Sequence, residues 1–125
     1  MIVLTLEQLL QLHALSIGET GGSEGLRDLG RLEAALATQT QAVFGQELYE
    51  SLFEKAAALI RGIVGDHPFV DGNKRTAVLA GLTFLAVNDE QSKIKKGELE
   101  DFAVQVATEH LDVPAIATWL ESHCK

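Results

Sequence analysis

Apolar residues return at helical intervals along most of this 125-residue chain. The first stripe is Leu6, Leu9, Leu10 and Ile17, with His13 on or beside it. Thr5-Leu6-Glu7-Gln8 has the spacing of a capping box at its start. A glycine-rich stretch from Gly18 to Gly30 breaks the stripe and predicts a loop. Asp28 then predicts the cap of a helix with Leu29, Leu32, Ala35 and Leu36 inward. Between Thr38 and Glu47 no period holds, and Val43-Phe44-Gly45 suits either a short β-like flap or a connection with Phe44 tucked into the core. A long helix is predicted over Leu48–Val64, burying Leu52, Phe53, Ala56, Leu59, Ile60 and Ile63 and ended by Gly65-Asp66. Pro68 disfavours helix at His67, which is expected to be extended. From Lys74 to Val87 apolar residues fall on every side, as in a helix buried all round. Asn88–Gly97 is polar and carries Lys93, Lys95 and Lys96, a solvated connection. Two further helices follow, Glu98–Glu109 and one capped by Asp112, with Pro114 in its first turn. The expected fold is all-α: one domain over residues 1–125, a compact bundle of about six helices around a buried central helix, with the flap as the open point.

Composition narrows the picture. Apolar residues make up 46% and aromatic ones 6%, so the core must be built from Leu, Ala, Val and Ile. A net charge of −8 argues against general attraction to nucleic acid, which is bound mainly by basic surface. The single cysteine, Cys124, offers neither a disulfide framework nor a metal set, and a cytoplasmic location is expected. Met1–Glu7 lacks a basic region and meets an acid early, unlike a signal peptide. The apolar run Ala77–Val87 falls short of the roughly 20 residues that cross a bilayer, so no membrane is expected as partner.

The chemistry gathers at His67-Pro-Phe-Val-Asp-Gly-Asn-Lys-Arg-Thr-Ala77. Asp71-Gly72-Asn73 reads as a turn and helix start, so the polar end of the greasy helix emerges here. Open backbone N–H groups and the helix dipole attract anions at such an end. Lys74 and Arg75 add cations where the dipole alone disfavours them, which points to a negative ligand such as phosphate. Asp-Gly-Asn by itself also fits a plain turn with the histidine satisfied by a carbonyl. The joint pattern is what separates the two.

His67, Phe69, Asp71, Asn73 and Arg75 resemble the Fic/Doc family signature, H-x-F-x-[D/E]-x-N-x-R. Lys74 stands where Fic adenylyltransferases usually carry glycine, and Val78 where they carry a second arginine; Asn-Lys-Arg resembles the Doc branch, toxins of toxin–antitoxin modules. Gly72, by contrast, gives an Asp-Gly-Asn core like that of Fic proper. Leu12-His13, Gly21-Gly22, Gly25–Asp28, Gly30 and Leu32–Leu36 resemble the family's N-terminal half, so the likeness spans nearly the whole chain. Thr20-x-x-x-Glu24-Gly25 matches the inhibitory pattern of some Fic enzymes, but those segments are helical and Gly21-Gly22 interrupts this one.

The resemblance implies a protein kinase that moves the γ-phosphoryl group of ATP to a threonine of elongation factor Tu and stops translation. It implies His67 as general base, since an imidazole can take a hydroxyl proton near neutral pH. Asp71 would hold Mg²⁺ or cap the helix. Gly72, Asn73, Lys74 and Arg75 would bind the nucleotide, the two cations clamping its phosphates. Phe69 is expected to anchor the loop in the core. His13 is read as a hydrogen-bonded residue at the core boundary, and the 38–47 segment as a flap that in the family holds the target by backbone pairing. The implied partner is a Phd-like antitoxin that folds into a groove. AMP transfer and a non-catalytic antitoxin-binding domain are the alternatives.

Overall fold

The computed structural model describes residues 1–124, apart from the side chain of Lys96. Its order is α1 (Leu6–Thr20), α2 (Leu29–Ala37), β1 (Ala42–Val43), β2 (Gln46–Glu47), α3 (Leu52–Asp66), α4 (Asn73–Val87), α5 (Lys96–Thr108) and α6 (Val113–Ser122). The all-α expectation holds, and the 38–47 segment takes the flap form.

Local chemistry sets most helix starts. Thr5 and Gln8 form the expected capping box, Asp28 accepts from Arg31 N, and Asp112 accepts from Ala115 N. The long helix starts later than its pattern suggested. Ser51 and Glu54 form a second capping box, and Leu48 is exposed before it. Gly18 stays helical, so α1 runs on to Thr20 and Gly21 ends it with a positive φ of 78°.

The buried central helix expected from the sequence is α4, with eight of its 15 residues buried, and α3 beside it is buried at as many positions. α3 packs on α2, α4, α5 and α6, whereas α4 packs on α1, α3 and α5. α3 is buried without a break from Lys55 to Ile60, although its sequence looked one-sided. Its two close approaches use small residues: Gly62 lies against Ala35 of α2, and Gly81 of α4 lies against Ile60. At the far end, Phe102 stacks on Trp119 with centroids 3.7 Å apart, tying α5 to α6. Burial, together with the charge of Glu90, raises the Cys124 thiol above its ordinary range, so it stays protonated. No helix among the described residues is long and apolar enough to cross a membrane.

β1 and β2 form an antiparallel hairpin, Ala42 opposite Glu47 and Val43 opposite Gln46. Its turn residues, Phe44 and Gly45, have φ of 52° and 80°, the handedness of a two-residue hairpin turn. Phe44 is fully exposed at the tip (101%), so the alternative that tucked it into the core is overturned. The two-residue loop turns the side chain outward.

Candidate active site

The motif loop joins the end of α3 to the start of α4. His67 does not take the extended form expected of a residue before proline. It is the C-cap of α3, left-handed at φ 48° and ψ 59°, with its N–H bonded to Ile63 O at 3.2 Å. The helix end wins because a left-handed residue closes it, and histidine enters that region more readily than most. The residue is exposed, and its ring nitrogens have no hydrogen-bond partner among the described residues. A cleft of about 480 Å³ opens beside it, bordered by Arg61, Val64, Val106, His110 and Leu111.

The loop is laced to the glycine-rich segment before α2. Pro68 O accepts from Arg27 N at 2.7 Å and from Asp28 N at 3.0 Å, and Gly25 O accepts from Val70 N at 3.0 Å. Arg27 also donates through Nε to His67 O at 2.8 Å and through Nη2 to Asp66 O at 3.0 Å, where Arg31 Nη1 joins it at 3.0 Å. Two cations thus sit on the negative end of α3 and fix the backbone that carries His67. Sequence reading noted Arg27 only as part of a family-like run. Its target is far along the chain, so no local pattern could expose it.

Phe69 is buried (1%) and its ring stacks on His13, centroids 3.9 Å apart and planes 5° from parallel. His13 is itself buried and hydrogen-bonds through Nε2 to Asp71 O at 2.8 Å. Phe69 was expected as an anchor and His13 as a hydrogen-bonded residue at the core boundary; together they brace the loop from the α1 side.

Asp71 turns its carboxylate to the outside. Oδ1 accepts from Gly72 N at 2.9 Å and Oδ2 from Ser23 N at 3.2 Å. It is therefore not the cap of α4: that position belongs to Gly72, at φ 76°, and no side chain caps the helix. α1, α2, α3 and α6 all have a capping side chain. The first-turn N–H groups of α4 are left for an outside acceptor.

The two cations and the amide are placed differently from one another. Lys74 is exposed with no ion-pair partner among the described residues. Arg75 is mostly buried and lies between Glu100 of α5 at 2.8 Å and Glu19 of α1 at 3.4 Å, while its Nε has no partner. Asn73 bonds Phe69 twice, accepting from its N–H at 2.9 Å and donating to its carbonyl at 3.0 Å. The amide expected at a phosphate closes the loop here, with one Nδ2 hydrogen left over. The Thr20/Glu24 pattern is not one helix, since α1 ends between them.

Several features fit a magnesium nucleotide: each carboxylate oxygen of Asp71 keeps a lone pair, and the uncapped helix start and Lys74 are free. No three His, Cys, Asp or Glu side chains among the described residues form a metal cage. A cation held by one carboxylate and by phosphates needs none.

An exposed histidine in the loop before an uncapped, cation-bearing helix start is an arrangement suited to holding an anion such as phosphate. The sequence profile of the Fic/DOC family matches residues 3–85, and the chain belongs to that family. It is 41% identical over 102 residues to "Toxin Doc" of Mycolicibacterium smegmatis, covering 80% of this chain and 78% of that protein. It is 37% identical over 114 residues to "Protein kinase doc" of Escherichia phage P1, covering 91% of this chain and 89% of that protein.

Proposed function

We propose that this chain is the toxin of a toxin–antitoxin module. It is a protein kinase that transfers the γ-phosphoryl group of ATP to a serine or threonine hydroxyl, and its target is elongation factor Tu, in the cytoplasm. Toxin and kinase are supported by the relatives' names, and an antitoxin partner follows from the toxin. The observation that carries the site reading is the start of α4, with no side-chain cap among the described residues, Lys74 exposed in its first turn and an exposed His67 in the loop that leads into it.

In this reading the first-turn N–H groups of α4 and Lys74 hold the phosphates. Asp71 would hold Mg²⁺, which would supply positive charge against the phosphate oxygens. Arg75 reaches the phosphates by exchanging a carboxylate partner for an anionic ligand. His67 takes the proton of the acceptor hydroxyl as its oxygen bonds to the γ-phosphorus. The bond from that phosphorus to the β-γ bridging oxygen breaks, and ADP leaves. Arg27 and Arg31 keep His67 in place. The hairpin offers an open strand edge to the target chain.

Incubation with elongation factor Tu and ATP labelled at the α or the γ position tests the reaction. Label is expected in the target from the γ position alone, and label from the α position overturns the kinase reading in favour of AMP transfer.

The loop around Asp71 supplies a second test. A Cβ on Gly22 would lie 2.6 Å from Asp71 Oδ2, at a φ of 116° that side chains rarely adopt. Gly22→Ala should push the carboxylate off Ser23 N and weaken magnesium-ATP binding. The backbone strain should cost about 1–3 kcal/mol of stability. Calorimetric titration and a thermal melt read the two effects, and unchanged affinity would remove Asp71 from the metal site.

A further inference from the structure

Lys55 is buried at 2% exposure, the first of six successive buried residues in α3. Its ammonium reaches one carboxylate, Glu47 Oε1 at 3.1 Å, on a side chain that is 52% exposed on β2. Lysine is almost never so buried without a partner. Desolvating such a pair commonly makes it no better for stability than apolar side chains of the same volume. A core helix therefore gains little by keeping a lysine here, and the reason for it is to be sought at the other end of the pair.

That other end is a hairpin with little beneath it. Both strands are exposed throughout, as are Val43, Phe44 and Leu48. Its base is tied down: Gln39 is buried and bonds the backbone of Leu4 on both sides, at 2.7 and 3.1 Å, and Leu48 N donates to Gln41 O at 2.8 Å. These bonds set where the strands leave the body. The Lys55–Glu47 pair is the one ion pair that joins the strands to α3 among the described residues. At the tip, Phe44 combines a left-handed backbone with a ring wholly in water, two costs that no contact among the described residues offsets.

We propose that Lys55 is a positioning residue for the protein substrate. Through Glu47 it holds the 42–47 hairpin at the angle in which the strand edge and Phe44 meet the target polypeptide. The inference rests on the reading that the hairpin holds the target.

The test uses the full chain, elongation factor Tu and saturating ATP, with hydrogen exchange on the hairpin amides. Lys55→Met is expected to keep the helical circular dichroism and the ATP affinity while hairpin amides exchange faster. The KM for elongation factor Tu should rise about tenfold, with kcat little changed, as misplacement of a substrate-holding element predicts. Lys55→Arg should restore KM. Glu47→Ala cuts the pair at its exposed end, outside the core, and should reproduce the Lys55→Met kinetics even if that variant folds poorly. Unchanged KM and unchanged exchange in both variants would overturn the proposal. Phe44→Ala separates the layers: if it raises KM while the other two do not, the inference falls alone. If it too leaves KM unmoved, the docking reading beneath it falls as well.

Discussion

Replacing His67 with alanine should slow phosphoryl transfer by about a hundredfold to ten-thousandfold, the share a positioned general base supplies. The side chain is exposed, lines a cleft of about 480 Å³ and has no hydrogen-bond partner among the described residues, so its loss removes little else. The backbone at 67 is held by Arg27 and by the end of α3 rather than by the ring. The phosphate end, at α4 and Lys74, is untouched. ATP affinity and antitoxin binding should therefore be preserved while growth arrest disappears. Single-turnover transfer of γ-label, ATP titration and expression without antitoxin measure the three properties. A variant that stays fully toxic would place the toxicity elsewhere than in this base, and loss of antitoxin binding would show that the ring also serves the partner.

The second large effect concerns the contact that sets the site's helix on its support. Gly81→Val should lower stability by about 3 kcal/mol, the upper end of typical overpacking costs. A Cβ at 81 would fall 2.5 Å from Ile60 Cδ1, 2.7 Å from Ile60 Cγ1 and 3.4 Å from Ala56 O. Ile60 is wholly buried, so either its side chain must repack within the core or α4 must lift from α3. Gly81→Ala should cost less, because alanine recovers about 1 kcal/mol of helix propensity against the same clash. At roughly 4 °C per kcal/mol for a chain of this size, the valine variant should melt about 12 °C lower. A melt at or above the wild-type temperature would mean the two helices are not packed this closely.

The helices were legible because each carries its own signal. Thr5, Asp28 and Asp112 cap where the sequence places them, and Leu9, Leu32, Ile60 and Ile116 turn inward as their spacing requires, whereas Leu10 and Leu29, placed on the same stripes, are exposed at their edges. The motif was legible because its residues lie within nine positions. His13 was read correctly as a hydrogen-bonded residue at the core boundary, from its place on an apolar face, and Phe69 as the anchor of the loop. The misreadings share a cause. His67 was assigned from its proline neighbour, but the end of α3 decides its backbone. α3 looked one-sided in the sequence, yet it is buried at as many positions as the central α4, eight in each, with Lys55 among them. Enclosure depends on what packs around a helix.

The sequence alone determined the all-α class, the starts of α1, α2 and α6 and the side chains of the family motif, because periodicity, capping and a nine-residue motif are local properties of a chain. Only the tertiary structure decided how those side chains are shared out. Arg75 goes to Glu19 and Glu100, Asn73 to Phe69 and Asp71 to Ser23, while Arg27 holds the backbone of His67. Most of these partners lie 25 to 56 positions apart in the chain, brought together by packing of helices whose local patterns carry no record of their neighbours.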